Sequence, residues 1–344
     1  MTEVSEVTGV SEVTGVTEPL RIGLLGASRI AESAIVGPAR TLGHRLVAVA
    51  ARDRGRAEAF ADKYGVERVL DSYTAVIDDP EVDIIYNPLA NALHGPWNLA
   101  AIRAGKPVLS EKPFARNETE AREVAAAARA AGVPVLEGFH YLFHPLMART
   151  MELLDAGAIG DIAHVDVMMA MPPPDDHDPR WSYDLAGGAL MDLGCYALHV
   201  SRLLGRWCGG PPEITCGRAS LASPQIDKSC VLDLRYPNGA AGLHAVSMVA
   251  GEFVFSLRIV GDEGSLFLHD YLAPNRDDRL TIVSSRDGTV GVERLGTRST
   301  YTYQLEAFAD TVRTGAALPI DLDDAVENMR YLDAAYRAIG LQPR

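Results

Sequence analysis

The sequence predicts an α/β protein in two parts. A doubly wound parallel sheet runs to about residue 145, and an α+β unit with a large, mostly antiparallel open sheet follows it. Three observations carry this prediction. Short apolar runs alternate with helix-period stretches that end on glycine, the pattern of βαβ units with buried parallel strands. After about residue 150 the helical stretches give way to successive strand-like segments joined by short turns, as in antiparallel sheets. With 344 residues, 47% of them hydrophobic, the chain is also long enough for two cores of ordinary size.

The elements follow in order. "MTEVSEVTGVSEVTGVTEP" is acidic and repeats SEVTGV. It has neither the basic n-region nor the apolar h-region of a signal peptide, so residues 1–20 are predicted to be a disordered tail. "LRIGLLGASRIAESAI" reads as a strand, a glycine turn and a helix. "HRLVAVAARD" is a second strand, and "RGRAEAFADKYG" is a helix stopped by its glycine. The unit repeats through strand "VDIIYNPLA", helix "HGPWNLAAIRAG", strand "KPVLSEKPF", helix "ETEAREVAAAARAAG" and strand "VPVLEGFHY". These place a dinucleotide-binding type of domain at 21–145.

In the second domain, 146–320, "GDIAHVDVMMAM", "EITCGRASLA", "SCVLDLRYPNGAAGLHAVSM", "FVFSLRIVGDEGSLFLHD" and "RLTIVSS" are strands, with an Asn-Gly hairpin signal in "YPNGA". One helix, "GGALMDLGCYALHVSRLLG", precedes most of them, and a last one, "DLDDAVENMRYLDAAYRAIG" within 321–344, is expected to pack back on the body. One sheet face packs on helices, and the other is expected to meet a second subunit, giving a homodimer or homotetramer.

The formal net charge of −14 argues against a nucleic-acid partner, which needs clustered Lys and Arg. No apolar run approaches membrane-spanning length. The four cysteines, Cys195, Cys208, Cys216 and Cys230, show no CxxC spacing, so a reduced cytoplasmic protein without a metal site is expected. His140 and His144 lie close together, but no carboxylate or cysteine stands at ligand spacing from them.

The first turn carries Gly26, Ser28 and Ala31, a G-x-G-x-x-G/A spacing with serine at the middle position, and Arg29 and Ile30 lie within it. Such a turn lets backbone amides and a helix N-terminus approach a pyrophosphate. The second strand ends Ala50-Ala51-Arg52-Asp53. Ala51 offers no carboxylate for a ribose 2′-hydroxyl, whereas Arg52 offers a fork of donors for a 2′-phosphate. NADP is favoured. NAD stays open, because Asp53 is a carboxylate at the same strand end.

Two further stretches carry chemistry. In "SEKPF" Lys112 stands between Glu111 and Pro113, either as a solvated turn residue or as an active-site lysine held by a rigid backbone. In "DLGCYALH" Asp192, Tyr196 and His199 are spaced by four and three residues, so one helix face would present all three. Tyr196 read alone fits a core tyrosine with its hydroxyl hydrogen-bonded.

In this order, "GASRIA", "NALH" (Asn91 and His94), "AGKPVLSEKP", "GDI" at 160–162 and "GGALMDLGCY" make the chain resemble the Gfo/Idh/MocA oxidoreductases over nearly everything after residue 20. It is most similar to the branch of dihydrodiol dehydrogenases, xylose dehydrogenases and glucose–fructose oxidoreductase. The resemblance implies a Rossmann domain binding NADP or NAD through Gly26, Ser28, Arg29, Ile30, Arg52, Asn91, His94, Glu111 and Lys112. It implies that the Lys112–Pro113 bond is cis, that Lys112 sits at the nicotinamide, and that Tyr196 is the acid/base. Asp192, His199, Arg180 and His140 are then the expected substrate-binding residues.

Two positions depart from the family's common "EAFMYRFHP", since "EGFHYLFHP" puts His140 and Leu142 there. The implied reaction moves a hydride between a secondary alcohol or ketone of a sugar, polyol or dihydrodiol and nicotinamide. Lys112 would favour the phenolate of Tyr196 and stabilise the developing alkoxide. An NAD-dependent glycosidase using transient oxidation is the alternative, with a non-catalytic dinucleotide-binding regulator as the third reading.

Overall fold

The computed structural model describes residues 18–344. The predicted tail therefore lies outside the described residues as far as residue 17. Its last residue, Leu20, is buried, and the Glu18 carbonyl accepts a hydrogen bond from Arg313.

The first sheet is built from β1 (Arg21–Leu25), β2 (Arg45–Ala50), β3 (Ile84–Asn87), β4 (Val108–Ser110) and β5 (Val135–Glu137), all parallel, in the order β2-β1-β3-β4-β5. Their side chains are almost wholly buried because helices cover both faces, which is why they read as continuous apolar runs. The connections are α1 (Gly37–Leu42), α2 (Arg54–Tyr64), α3 (Tyr73–Asp78), α4 (His94–Arg103) and α5 (Glu118–Ala131). Local chemistry fixes their ends. Asp53, Ser72 and Asn117 cap α2, α3 and α5 by accepting from backbone amides three residues on. A π-helical turn, Glu32–Val36, precedes α1.

From β1 the chain first goes to β2 on one side and then to β3 on the other. This makes a topological switch point at the carboxyl ends of β1 and β3, where doubly wound sheets open a ligand crevice.

After α6 (Pro145–Asp155) comes the second sheet. Its strands are β6 (Ile162–Ala170), β7 (Glu213–Ser223), β8 (Ile226–Arg235), β9 (Ala241–Ser247), β10 (Val254–Gly261), β11 (Gly264–Leu268), β12 (Arg279–Ser284) and β13 (Val290–Arg294). The order is β13-β12-β11-β10-β6-β9-β8-β7, and only the β6–β9 pair is parallel. α7 (Cys195–Leu204) packs on its inner face, where Val165, Val167, Met169 and Leu232 are buried.

Two helices close the chain. α8 (Thr300–Thr314) packs on α1 and on the short 3₁₀ helix His140–Phe143, and α9 (Leu322–Ala338) packs on α5, α7 and β7. The "TYTYQLEAFADTVRT" of α8 was not read as a helix in the sequence, and it proves to supply part of the site.

Candidate active site

The turn after β1 holds its shape through Gly26, which has φ +95° and donates its amide to the Ala50 carbonyl at 2.7 Å. Ser28 is half-buried, and Arg29 and Ile30 are exposed at the crevice mouth. Arg29 pairs with Asp178 at 2.5 Å and Asp175 at 3.3 Å, both on the 172–181 loop.

At the end of β2, Arg52 is exposed and pairs with no carboxylate among the described residues. Asp53 caps α2 by accepting from the Arg56 amide at 3.0 Å. Arg56 donates to the Ala27 carbonyl of the glycine turn at 3.1 Å, so a second cation stands beside Arg52. The sequence reading missed it, although 52, 54 and 56 are arginines at alternate positions. A glycine turn at the switch point and a cationic strand end fit a dinucleotide phosphate.

The "SEKPF" segment continues β4. Asn87 donates to Asn98 at 2.8 Å and Asn98 donates to Ser110 at 2.9 Å, a buried chain that fixes the strand end. Lys112–Pro113 is cis. His94, expected at the cofactor, lies behind this turn with its ring nitrogens 2.7 Å from the Pro113 carbonyl and 2.8 Å from the Leu89 carbonyl. Glu111, also expected at the cofactor, is buried and accepts from the Tyr86 hydroxyl at 3.0 Å. Asn91 donates to the Ala186 carbonyl at 2.9 Å and ties the parallel-sheet part to the loop before α7. Of these three side chains, His94 is the one that braces the lysine turn, through the Pro113 carbonyl.

The glycines of "GGAL" admit the 172–181 loop, because a Cβ at Gly187 would collide with the Arg180 carbonyl. A π-helical turn, Leu190–Gly194, then leads into α7. It brings Asp192 onto Lys112, whose ammonium donates to the Asp192 carboxylate at 2.9 Å and to its carbonyl at 2.8 Å. Arg180 donates to the other carboxylate oxygen at 2.6 Å. Burial alone would push the Asp192 carboxyl up, and the two cations outweigh it, holding its pKa at about 2. The same pair keeps Lys112 charged, with its pKa raised despite burial. Arg180 also touches Asp178, so charges alternate from Arg29 through Asp178, Arg180 and Asp192 to Lys112.

Tyr196 lies beside this cluster, with the Lys112 ammonium 5.2 Å from its ring centroid. Its hydroxyl is 3.2 Å from His140 Nε2, and His140 Nδ1 is 2.7 Å from the Thr300 hydroxyl. Burial, followed by the nearby Tyr301, Glu111, Cys195 and Asp192, pushes the phenol well above its ordinary 10. The expected lowering by Lys112 does not prevail here, because Asp192 already neutralises the ammonium.

His199 departs from the expectation. Although the helical spacing suggested one shared face, Phe139 stands between Tyr196 and His199, stacking on the His199 ring at 3.9 Å. His199 is fully buried, with Nδ1 2.7 Å from the Tyr141 hydroxyl and Nε2 2.8 Å from Asp324. Both nitrogens are engaged away from the crevice, so His199 is a structural histidine. Among the described residues, no group of three or more His, Cys, Asp or Glu side chains suits a metal. No helix among them is long and apolar enough to cross a membrane.

The structure thus brings together Lys112, Asp192, Arg180, Tyr196 and His140, with Gly26, Ser28, Arg29 and Arg52 along the neighbouring crevice. Family models match both parts of the chain. The oxidoreductase family with an NAD-binding Rossmann fold, GFO_IDH_MocA, matches residues 20–139, and the GFO/IDH/MocA C-terminal domain matches residues 147–267. D-xylose 1-dehydrogenase (NADP(+)) 2 of Haloferax volcanii is 32% identical over 320 residues, covering 93% of this chain and 97% of the relative. Trans-1,2-dihydrobenzene-1,2-diol dehydrogenase of Mus musculus is 32% identical over 259 residues, covering 74% and 76%. A 3-ketoreductase from Actinomadura kijaniata, solved with NADP and TDP-benzene, superposes with a TM-score of 0.84 at 25% identity, covering 93% of this chain and 98% of that one.

Proposed function

The chain belongs to the Gfo/Idh/MocA family of NAD(P)-dependent oxidoreductases, and from that premise we propose that it oxidises or reduces a ring carbinol of a sugar or polyol, with Lys112 and Tyr196 at the reacting oxygen. The convergence of Lys112, at the carboxyl end of β4, with Asp192 and Tyr196 from the other half of the chain supports this most directly. Nicotinamide supplies the hydride acceptor or donor when bound.

The chain's own residues handle the oxygen. Tyr196 takes the carbinol proton or returns it. The Lys112 ammonium donates to the same oxygen and stabilises its negative charge. A substrate hydroxyl that reaches Asp192 competes for a carboxylate already shared by Lys112 and Arg180. Binding there frees the ammonium for the reacting oxygen and for the phenolate. Arg180 and Asp192 would then orient the ring.

A panel of pentoses, hexoses, inositols and dihydrodiols, followed at 340 nm with NADP and NAD, tests this reading. Reduction of the cofactor by at least one member is expected. Release of a sugar from a glycoside without net absorbance change would replace the reading with the glycosidase one.

NADP is the proposed cofactor, supported by the unpaired Arg52, the neighbouring Arg56 and the use of Asp53 as a helix cap. Arg52→Ala is expected to weaken NADP about ten- to a hundredfold, as for loss of a charge-assisted contact, and to leave NAD nearly unchanged. Equal losses for both cofactors in a binding titration would remove Arg52 from the 2′-phosphate site.

The domain limits 21–145 and 146–320, a cytoplasmic location and a homodimer or homotetramer belong to the same proposal. The four cysteines are free thiols, in keeping with a reducing compartment. The outer face of the second sheet exposes Met168 and Leu243, 44% and 37% accessible, as a self-associating face would. Light scattering at micromolar concentration should show a dimer or tetramer, and a strict monomer would refute it.

A further inference from the structure

His140 is 2% exposed, and its ring stacks on Tyr301 with centroids 3.8 Å apart. One nitrogen faces the Tyr196 hydroxyl at 3.2 Å and the other faces the Thr300 hydroxyl at 2.7 Å. We propose that His140 is the positioning residue that makes Tyr196 usable as an acid/base. It acts as a neutral imidazole whose Nε2–H donates to the tyrosine oxygen while the Thr300 hydroxyl donates to Nδ1. The proposal rests on Tyr196 being the acid/base.

Three features of the site point this way. Burial, helped by the Lys112 charge, pushes the His140 pKa down to about 3, so the ring is neutral at pH 7 and carries a single N–H. The Thr300 hydroxyl can donate or accept, so by donating to Nδ1 it supports the tautomer that carries its proton on Nε2. With the proton on Nε2, the phenol's own proton is turned away from the histidine and is free for a substrate oxygen.

Second, the groups facing Tyr196 leave its anion short of support. Burial first, then Tyr301, Glu111, Cys195 and Asp192, push its ionisation to higher pH. Lys112 is the facing cation, but its ammonium is spent on Asp192 and lies over the ring rather than on the oxygen. Among the described residues, His140 is the hydrogen-bonding partner of the Tyr196 oxygen.

Third, the donor is in place before it is needed. In the reductive direction the carbonyl carbon receives the hydride. The Tyr196 O–H bond breaks as a new O–H bond forms on the substrate oxygen, and the phenolate left behind already faces Nε2–H. In the oxidative direction the same donor holds the phenolate that accepts the carbinol proton. A preorganised donor of this kind costs no reorganisation during the reaction.

Titration of the protein saturated with NADP, followed in the near-ultraviolet phenolate band, tests the assignment without any substrate. The difference between wild type and Tyr196→Phe isolates the ionisation of Tyr196. His140→Met is expected to move that midpoint to higher pH by about one unit, as for loss of a donor to the charged form. Thr300→Val should move it the same way by less, and Thr300→Ser and His140→Gln, which keep a hydroxyl and an N–H donor, should leave it nearly in place. NADP affinity and circular dichroism accompany each variant, and the Thr300 pair carries the test if His140→Met does not fold.

An unmoved or lowered midpoint in His140→Met and Thr300→Val overturns the proposal, as does a wild-type Tyr196 that does not ionise by about pH 11. Turnover of Tyr196→Phe on an accepted substrate separates the two levels. If that variant stays active, the acid/base reading itself falls. If it is inactive while the midpoints do not move, only the role of His140 falls.

Discussion

Tyr196→Phe is expected to keep the fold and the NADP affinity and to lose about 10²- to 10⁴-fold in turnover, the usual contribution of a positioned acid/base. The substitution removes one oxygen from a ring that Phe139, Tyr141 and His140 already hold by edge contacts. The packing is therefore retained, and the lost hydrogen bond to His140 is the only direct structural cost. Leaving that buried imidazole without its partner costs about 1–3 kcal/mol, a modest fall in Tm. A tyrosine with only a packing role would give the same small stability change with near-normal rates. Steady-state kinetics beside a thermal melt and a cofactor titration separate the two outcomes. A variant retaining more than about a tenth of the rate would exclude Tyr196 as the acid/base.

Much of this arrangement was legible in the sequence because it depends on local patterns. The parallel strands announce themselves as apolar runs, since helices bury both of their faces, and glycine marks the ends of α2 and α5, where Gly65 and Gly132 take the left-handed cap conformation. Lys112 and Tyr196 stood out as motif positions. What the sequence concealed depends on tertiary neighbours. His199 has the right spacing from Tyr196, but spacing cannot show that Phe139 intervenes or that Asp324 of α9 waits on the other side. His94 and Glu111 are adjacent to the cofactor motifs in sequence and yet turn inward, because the lysine turn needs partners for its backbone and the site needs a closed interior. Thr300 and Tyr301 come from a helix that was not recognised at all. Its tyrosines and threonines have no strong helical preference, and tertiary packing supplies what propensity does not.

Lys112→Ala is expected to lower turnover by about 10²- to 10³-fold, the range for removing one preorganised donor from a developing oxyanion. Unlike the tyrosine change it also carries a structural cost. The Asp192 carboxylate keeps only Arg180, and the Asp192 carbonyl loses its donor. Breaking one side of a buried ion pair costs several kcal/mol when nothing replaces it, and the remaining Arg180 contact should reduce that. A lower Tm alone therefore cannot identify the role of the lysine. The pH–rate profile can, because a catalytic ammonium and a purely structural one predict different profiles. If the freed ammonium supports the phenolate, its removal moves the basic requirement of any residual oxidation to higher pH, as Tyr196 loses the cation that faces it. A structural lysine would lower the Tm and leave that limb where it is. The double variant Lys112→Ala/Tyr196→Phe adds a second check. Two residues acting on one oxygen should together be little worse than the worse single change, whereas independent contributions would multiply. A multiplicative loss, or an unmoved pH limb in Lys112→Ala, would separate the lysine from the tyrosine and reduce Lys112 to holding Asp192 in place.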